Sequence, residues 1–339
     1  MNKNKNECIV NNEIKLIKRL NINEKKWNDC IENSEAGTIY NYTYSLDALF
    51  PNWNALILGD YDFIFPITLN TKFRITYFFS PLFHSYFSIF SKKEITQNIF
   101  EAFIEAIEKL CSLYNFSYLP SKEYKFNITT KSTRKIGQYI DLKHEAKTIQ
   151  LNYSKHLVRN LKKSGQYNLK FETNNSLINE TVSIFKENIN GKINELTEKS
   201  FITLTGFFEV LINNKKGEIF ICSLDNKLLA IGFFSISNNR IIYHKGGNTF
   251  EGKKFNAMSA LLNYVILKYS KRNLIFDFGG SEIQSVMRHN LSYGAKNHYY
   301  FTLKYQPFPF NLFNKLKKKN TFKIALQKQK KIIKFANYY

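Results

Sequence analysis

The sequence predicts an α+β chain built as two halves of similar size, and three observations carry that expectation. The chain has 339 residues, more than one hydrophobic core usually organises, so two domains of roughly 150 residues each are expected. Its apolar share of 44%, with 31 Phe and 21 Tyr, is ample to fill two interiors. Each half shows apolar strand-like runs, then a helical stripe, then a further strand, the order expected of sheets covered by helices.

In the first half, Ile14, Leu16, Ile17 and Leu20 predict a short helix. The runs Ala55–Leu58, Phe63–Ile67 and Ile75–Phe79, broken by Gly59-Asp60 and Asn70-Thr71, predict a small antiparallel meander. Apolar residues from Ile99 to Tyr114 recur every three or four positions, so a helix starting near Lys93–Glu94 should pack on those strands. In the second half a basic helix begins near Tyr153, and further helices are expected at Leu177–Phe185 and Ser200–Leu211. A hairpin then joins Leu228–Ser237 to Arg240–Lys245 across Asn238-Asn239, a pair that tolerates positive φ. A glycine-containing loop from Gly246 to Phe255, a helix with Met258, Leu261, Leu262 and Val265 on one face, a strand at Leu274–Phe278, a short helix and a last strand at His298–Tyr305 complete the order. The expected divisions are 1–145, 146–310 and a tail, 311–339.

The formal net charge is +22. Such an excess points to a polyanionic partner such as nucleic acid, anionic lipid or a phosphate-rich donor, or to A/T-rich codons, which favour Lys, Asn, Ile, Phe and Tyr. Two stretches concentrate the cations: Lys122–Lys170 and everything after Leu303. From Asn311 onward there are nine lysines and no acidic residue, and Phe322, Leu326, Ile332 and Ile333 fall on a rough helical stripe. This basic amphipathic tail would lie on an anionic membrane, contact RNA or pack on the domain. Cys8, Cys30, Cys111 and Cys222 form no CxxC pair, and the six histidines lack metal-type spacing, so neither a disulfide framework nor a metal is expected. Met1–Leu20 lacks the apolar core of a secretory signal, and Ile75–Phe90, interrupted by Pro81 and His84, is too short to span a bilayer. The expected location is the cytoplasm, with the tail allowing peripheral contact with the inner membrane.

Gly247–Lys254 matches a phosphate-cradling loop except that it lacks the final Ser or Thr that would hold magnesium, and the strand before it closes an antiparallel hairpin. The loop is read either as a glycine turn or as amide groups at a helix N-terminus suited to a phosphate. Gly279-Gly280-Ser281 resembles a nucleophile elbow, yet position 283 is Ile and no Asp follows Asp277, so a Ser…Asp…His order fails. Ser281-x-x-Gln284 reads better as a capping box. On the basic helix, Lys155, Arg159 and Lys162 share a face with Lys163 beside them, either as a solvated surface or as a clamp for a phosphorylated donor or tRNA backbone.

YSKHLVRNLKKS at Tyr153–Ser164, the hairpin, loop and helix, and FDFGGSEIQSVMRHNLSYGA at Phe276–Ala295 resemble the C-terminal half of FemAB-like and related GNAT-fold acyltransferases. That group has a basic Asn-Arg-Arg-Asn-type helix, a strand ending in Asp-Phe-x-Gly-Ser, and Arg-Phe-x-x-x-Phe-Gly-Ala. The matching residues are Arg159, Asn160, Asp277, Gly280, Ser281, Arg288, Tyr293, Gly294 and Ala295. Thr43–Ile67 and Phe78–Ser91 resemble uncharacterised members of the Bacteroidetes type. The resemblance runs to about residue 310. The sequence departs at His289, where Phe is usual, and at Glu251-Gly252-Lys253-Lys254, a degenerate acyl-CoA signature with one glycine.

The resemblance implies two tandem GNAT-like domains, each a central mixed, largely antiparallel sheet flanked by helices. It implies transfer of an acyl or aminoacyl group from acyl-CoA or aminoacyl-tRNA to an amine acceptor, such as a cell-envelope precursor, with no tightly bound cofactor. The amine attacks the carbonyl directly, backbone N–H groups of the hairpin meet the oxyanion, Asp277 is the candidate base and Tyr293 the candidate acid. Donor contacts are expected from Lys155, Arg159, Lys162, Lys163, Gly246, Gly247 and Gly252, and acceptor contacts from Ser281, Arg288 and His289. The competing expectation is a non-catalytic basic module of the same fold that binds anionic lipid or RNA.

Overall fold

The computed structural model describes residues 13–125, 130–189, 196–280 and 283–307. The first segment corrects an expectation. Strand β1 (Lys15–Lys18) forms where a helix was predicted and pairs antiparallel with β2 (Asn54–Leu58), Leu16 facing Leu56. A helical stripe there would have nothing to cover: Leu20 is 94% exposed, and only Ile14 and Ile17 touch a core. Helices α1 (Glu24–Glu32) and α2 (Thr43–Leu49) follow. Asn23 caps α1 by accepting the Lys26 N–H at 3.0 Å, and Trp27, Ile31 and Leu46 are buried between the helices and the sheet.

Strand β3 (Phe63–Ile67), buried along its whole length, pairs with β2. The meander stops there. Strands β4 (Leu69–Lys72) and β5 (Ile75–Phe79) form a hairpin in a different sheet. The reason is packing: Phe65 on β3 needs cover on its face, and Phe78 of β5 supplies it edge-on at 6.0 Å. The short β6 (Phe90–Ser91) closes the first sheet in the order β1-β2-β3-β6. Helix α3 (Gln97–Leu110) starts later than predicted because Thr96 caps it, accepting the Ile99 N–H at 3.3 Å. Its buried face, Phe100, Phe103 and Ile107, packs in one cluster with Phe65, Phe78 and Phe116 of β7 (Leu113–Tyr118).

The second half runs β8 (Lys131–Asp141), α4 (Ala146–Leu151), α5 (Lys155–Ser164), β9 (Lys170–Thr173), α6 (Ile178–Ile189), α7 (Glu198–Asn213), β10 (Gly217–Leu224), β11 (Lys227–Ser237), β12 (Arg240–Asn248), α8 (Ala257–Lys268), β13 (Ile275–Gly280), α9 (Gln284–Ser292) and β14 (Lys296–Tyr305). Ten strands join in the order β4-β5-β7-β14-β8-β13-β12-β11-β10-β9. This mixed, largely antiparallel sheet flanked by helices bears out the predicted α+β class. It draws strands from both sides of residue 145: β13 pairs with β8, and β14 inserts between β7 and β8 and places Leu303 opposite both Phe116 and Ser132.

Period-two alternation distributes the hairpin side chains. Ile219, Ile221, Ile231 and Phe233 face α6 and α7, where Phe208 stacks on Phe233 with centroids 3.7 Å apart. Phe220, Cys222, Ala230 and Phe234 face α8 on the other side. The turn forms as predicted, with Asn238 and Asn239 at φ of 50° and 54°. Asn238 also reaches the first half. Its Nδ2 donates to the carbonyls of Ile31 at 3.1 Å and Glu32 at 3.3 Å, at the end of α1, and its Oδ1 accepts from Tyr42 at 3.1 Å.

Those bonds hold the hairpin tip against α1, so their worth is measurable. Asn238→Gly keeps the left-handed backbone and deletes the bonds; the expected loss is about 1–2 kcal/mol in urea unfolding. A loss within error of zero would mean that the Asn238 bonds add nothing to the joining of the two halves.

Candidate functional site between the two halves

The parallel ladder between β12 and β13 covers only Arg240↔Ile275, Ile241↔Phe276 and Ile242↔Asp277. Beyond Ile242 the pairing ends. At that level β12 also carries an irregularity against β11: Phe234 faces Tyr243 but Phe233 faces Lys245, leaving His244 as an extra residue. The bulge turns two consecutive side chains toward the same helices. His244 meets the rings of Phe207 and Phe208 on α7, and Lys245 lies 5.5 Å from the Phe185 ring on α6.

A cavity of about 310 Å³ opens at this point. The first half contributes Tyr40, His84, Ser85 and Tyr86, and the second contributes Phe207, His244, Lys245, Gly280 and Tyr300. A buried polar chain crosses the boundary. Ser235 Oγ is 2.6 Å from His244 Nε2, and Tyr40 Oη is 3.1 Å from His244 Nδ1. Burial pushes His244 down to about 3, so its imidazole is neutral at physiological pH.

His84 is also held neutral, pushed down to about 3 by burial. Its tautomer follows from its partner. Asn41 Nδ2 donates to Thr38 Oγ1 at 2.9 Å and to the Tyr86 carbonyl at 3.2 Å, so Asn41 Oδ1 must accept from His84 Nε2 at 3.1 Å. That leaves His84 Nδ1 as a bare acceptor without a partner among the described residues, and the Tyr86 hydroxyl, equally buried, has none among them either. Lys245 makes no ion pair among the described residues, and desolvation alone pulls its ammonium below the usual lysine range. By contrast Arg240, five residues earlier on the same strand, is paired with the buried Asp277 at 2.6 Å.

The residues nominated from sequence fall in several places. Asp277 borders this region, but both its oxygens are engaged: Oδ2 by Arg240 and Oδ1 by the Gly279 N–H at 2.7 Å, with His298 Nε2 at 3.9 Å. Tyr293 is fully buried elsewhere, donating to the Ser259 carbonyl at 3.0 Å, and burial raises its hydroxyl well above the tyrosine range. The two are thus held in separate networks. His289 lies edge-on to Tyr293 at 5.4 Å, 3.3 Å from Ser259 Oγ. Arg288 is exposed on α9 without an ion pair among the described residues. Lys155, Arg159, Lys162 and Lys163 are exposed on α5, whose buried face carries Leu157.

Gly246 and Gly247 belong to β12 rather than to the predicted loop. A side chain at Gly246 would come within 2.2 Å of the Ile231 carbonyl, so glycine is needed there for close packing, and one at Gly247 would come within 2.7 Å of the Asn188 side-chain amide. Gly252 does lie in the loop, its N–H donating to Thr249 Oγ1 at 3.1 Å. The amides at the start of α8 are taken as well: Ala257 donates to the Gly252 carbonyl at 3.0 Å and Met258 to Asn248 Oδ1 at 2.8 Å. Ser281 and the basic tail lie outside the described residues; α9 itself follows Ile283, which supplies no side-chain cap. Tyr40, His84, Tyr86, Ser235, His244 and Lys245 were not read as site residues. Their only sequence signal is polar residues set in otherwise apolar runs.

No family model matches the chain. No curated protein matches it. Solved structures do. FemX superposes with a TM-score of 0.62 at 8% identity, covering 83% of this chain and 96% of FemX. A conserved protein of unknown function from Bacteroides thetaiotaomicron VPI-5482 gives 0.57 at 10% identity, with 87% and 100% covered. L-PGS from Bacillus licheniformis gives 0.52 at 10% identity, with 84% and 91% covered. At such identities the likeness is one of fold, and it bears out the FemAB-like fold read from the sequence.

Proposed function

We propose that the chain is an N-acyltransferase or aminoacyltransferase that moves an acyl group from an acyl-CoA or aminoacyl-tRNA donor to an amine acceptor, and that transfer takes place in the cleft between the halves. The observation that carries the reading is the cavity at the end of the β12–β13 ladder, set in a fold shared with FemX and L-PGS. Where a ladder ends, strand amides are open to meet an oxyanion. The acceptor amine forms the new C–N bond, the carbonyl passes through a tetrahedral oxyanion, and the bond to the leaving oxygen or sulfur breaks as that atom takes up the proton that the amine nitrogen gives up.

Neutral His244, lying between Ser235 and Tyr40, is too weak a base to hold the amine proton for long, and its role is to orient the Tyr40 hydroxyl at the cavity wall. Asp277 serves to anchor Arg240 and the turn at Gly279. For the donor, the geometry favours aminoacyl-tRNA. An acyl-CoA pyrophosphate would need free amides at the start of α8, and those of Ala257 and Met258 are bonded within the chain. The exposed cations of α5 suit a phosphate backbone instead. An amine-bearing cell-envelope precursor is the proposed acceptor, at the cytoplasmic face of the membrane, with the tail as the peripheral contact.

Purified protein mixed with charged tRNAs, acetyl-CoA or long acyl-CoA donors and an amine acceptor should give a mass-shifted amine product. Absence of product with every donor, alongside RNA or liposome binding that Arg159→Ala with Lys162→Ala abolishes, would leave a binding module in place of an enzyme. If tRNA is the donor, that same pair of substitutions should raise KM for it at least tenfold with little change in kcat, and the natural protein's KM should climb steeply with salt.

The neutral histidines also leave a thermodynamic signature. Between pH 6.5 and 3 the unfolded chain binds protons at His84 and His244 that the folded chain refuses, so stability is full above pH 6.5 and falls as pH drops through that window. The urea midpoint should decline from pH 7 to 5, and His84→Gln with His244→Gln should flatten the decline. An unchanged slope in that double variant would show that other groups govern the acid sensitivity.

A further inference from the structure

We propose that the cavity between the halves is a subsite for an anionic group, a carboxylate or phosphate carried on one co-substrate, with Lys245 as its counter-ion. Only the word co-substrate rests on the transferase reading; the binding itself does not.

Three observations converge on the site. The first is charge. Among the described residues no Asp or Glu lines the cavity, and Lys245 has the Phe185 ring at 5.5 Å but no acidic partner. Burying an ammonium without a counter-ion is costly, and on this same strand Arg240 has its carboxylate at 2.6 Å. The second is the pair of buried polar atoms without partners among the described residues, His84 Nδ1 and Tyr86 Oη, on residues that line the same cavity. Such atoms are rare in folded proteins and are satisfied when a ligand or water arrives. The third is shape: rings of Phe83, Phe185 and Phe207 form apolar walls around about 310 Å³, at the small end of ligand sites.

The polar atoms specify more than charge. Lys245 and the Tyr86 hydroxyl donate, which suits the oxygens of an anion. His84 Nδ1 can only accept, since its proton is on Nε2, so it suits an N–H or O–H beside that anion. The complementary ligand is a compact group with an anionic head, a neighbouring donor and an apolar body, such as the carboxylate end of an N-acylated amino acid. Nearby, His244 and Tyr40 add no negative charge at neutral pH, and the carboxylate of Asp277, which borders the cavity, is paired with Arg240 at 2.6 Å. A cationic acyl or acceptor side chain would meet only repulsion from Lys245.

Isothermal titration calorimetry on the full chain can test this with N-acetylphenylalanine, its neutral amide and phenyl phosphate as probes. N-acetylphenylalanine or phenyl phosphate should bind at least tenfold more tightly than the amide, and whichever binds better identifies the head group. Lys245→Met should erase that preference while leaving affinity for the amide within twofold, and should unfold at the same or a higher urea concentration than the natural chain. Lys245→Gln serves the same purpose if the Met variant does not fold. Equal affinity for acid and amide in the natural protein, a preference that survives in both variants, or no binding of any probe would overturn the subsite. Selective binding without turnover on any donor would instead remove the transferase reading and leave the subsite standing. Turnover with KM values for every co-substrate unchanged by Lys245→Met would do the reverse.

Discussion

The insertion of β14 between β7 and β8 is the constraint on which the rest of the molecule depends. Without it β7 and β8 would present two open edges, and the β4-β5-β7 strands would be cut off from the rest of the sheet. With it, a single ten-stranded sheet runs through both halves and fixes how they face one another. Tyr300 on that strand lines the interface cavity, while His298, two residues earlier, lies 3.9 Å from Asp277. A strand that reads as an ordinary C-terminal element thus sets the geometry of the cleft.

Within the cleft, two cations on β12 meet opposite fates. Arg240 is neutralised by Asp277, whose second oxygen takes the Gly279 N–H, so this cluster is electrically and sterically closed. Lys245 stands beyond the bulge at His244 and beyond the end of the β13 ladder, and makes no ion pair among the described residues. The same bulge brings His244 against Tyr40, a bond across the two halves. One extra residue in one strand therefore creates both the polar link between the halves and, beside it, a charge without an ion pair among the described residues.

Much of the second half was legible because its signals are local. Asn238-Asn239 adopts the left-handed turn, α8 buries the expected Met258, Leu261, Leu262 and Val265, and α5 exposes the expected basic face. Misreadings arose where neighbours overrode local pattern. Ile14, Leu16, Ile17 and Leu20 look helical, yet an edge of β2 was free to pair with them. The run Ile75–Phe79 looks like a third meander strand, yet the face of Phe65 demanded cover. Gly246 and Gly247 look like a phosphate loop, yet both belong to β12, where Gly246 serves the close approach of Ile231.

The sequence by itself determined the α+β class, the hairpin, most helices and the family resemblance of Phe276–Ala295, because periodicity, turn residues and local motifs act over a few positions. The placement of Tyr40 and His84 against His244 and Lys245, about 160 to 200 residues apart in the chain, was decided only by tertiary structure. Burial and partner geometry, which give a histidine its tautomer and leave a lysine without an ion pair among the described residues, exist only once the sheet has closed across the two halves.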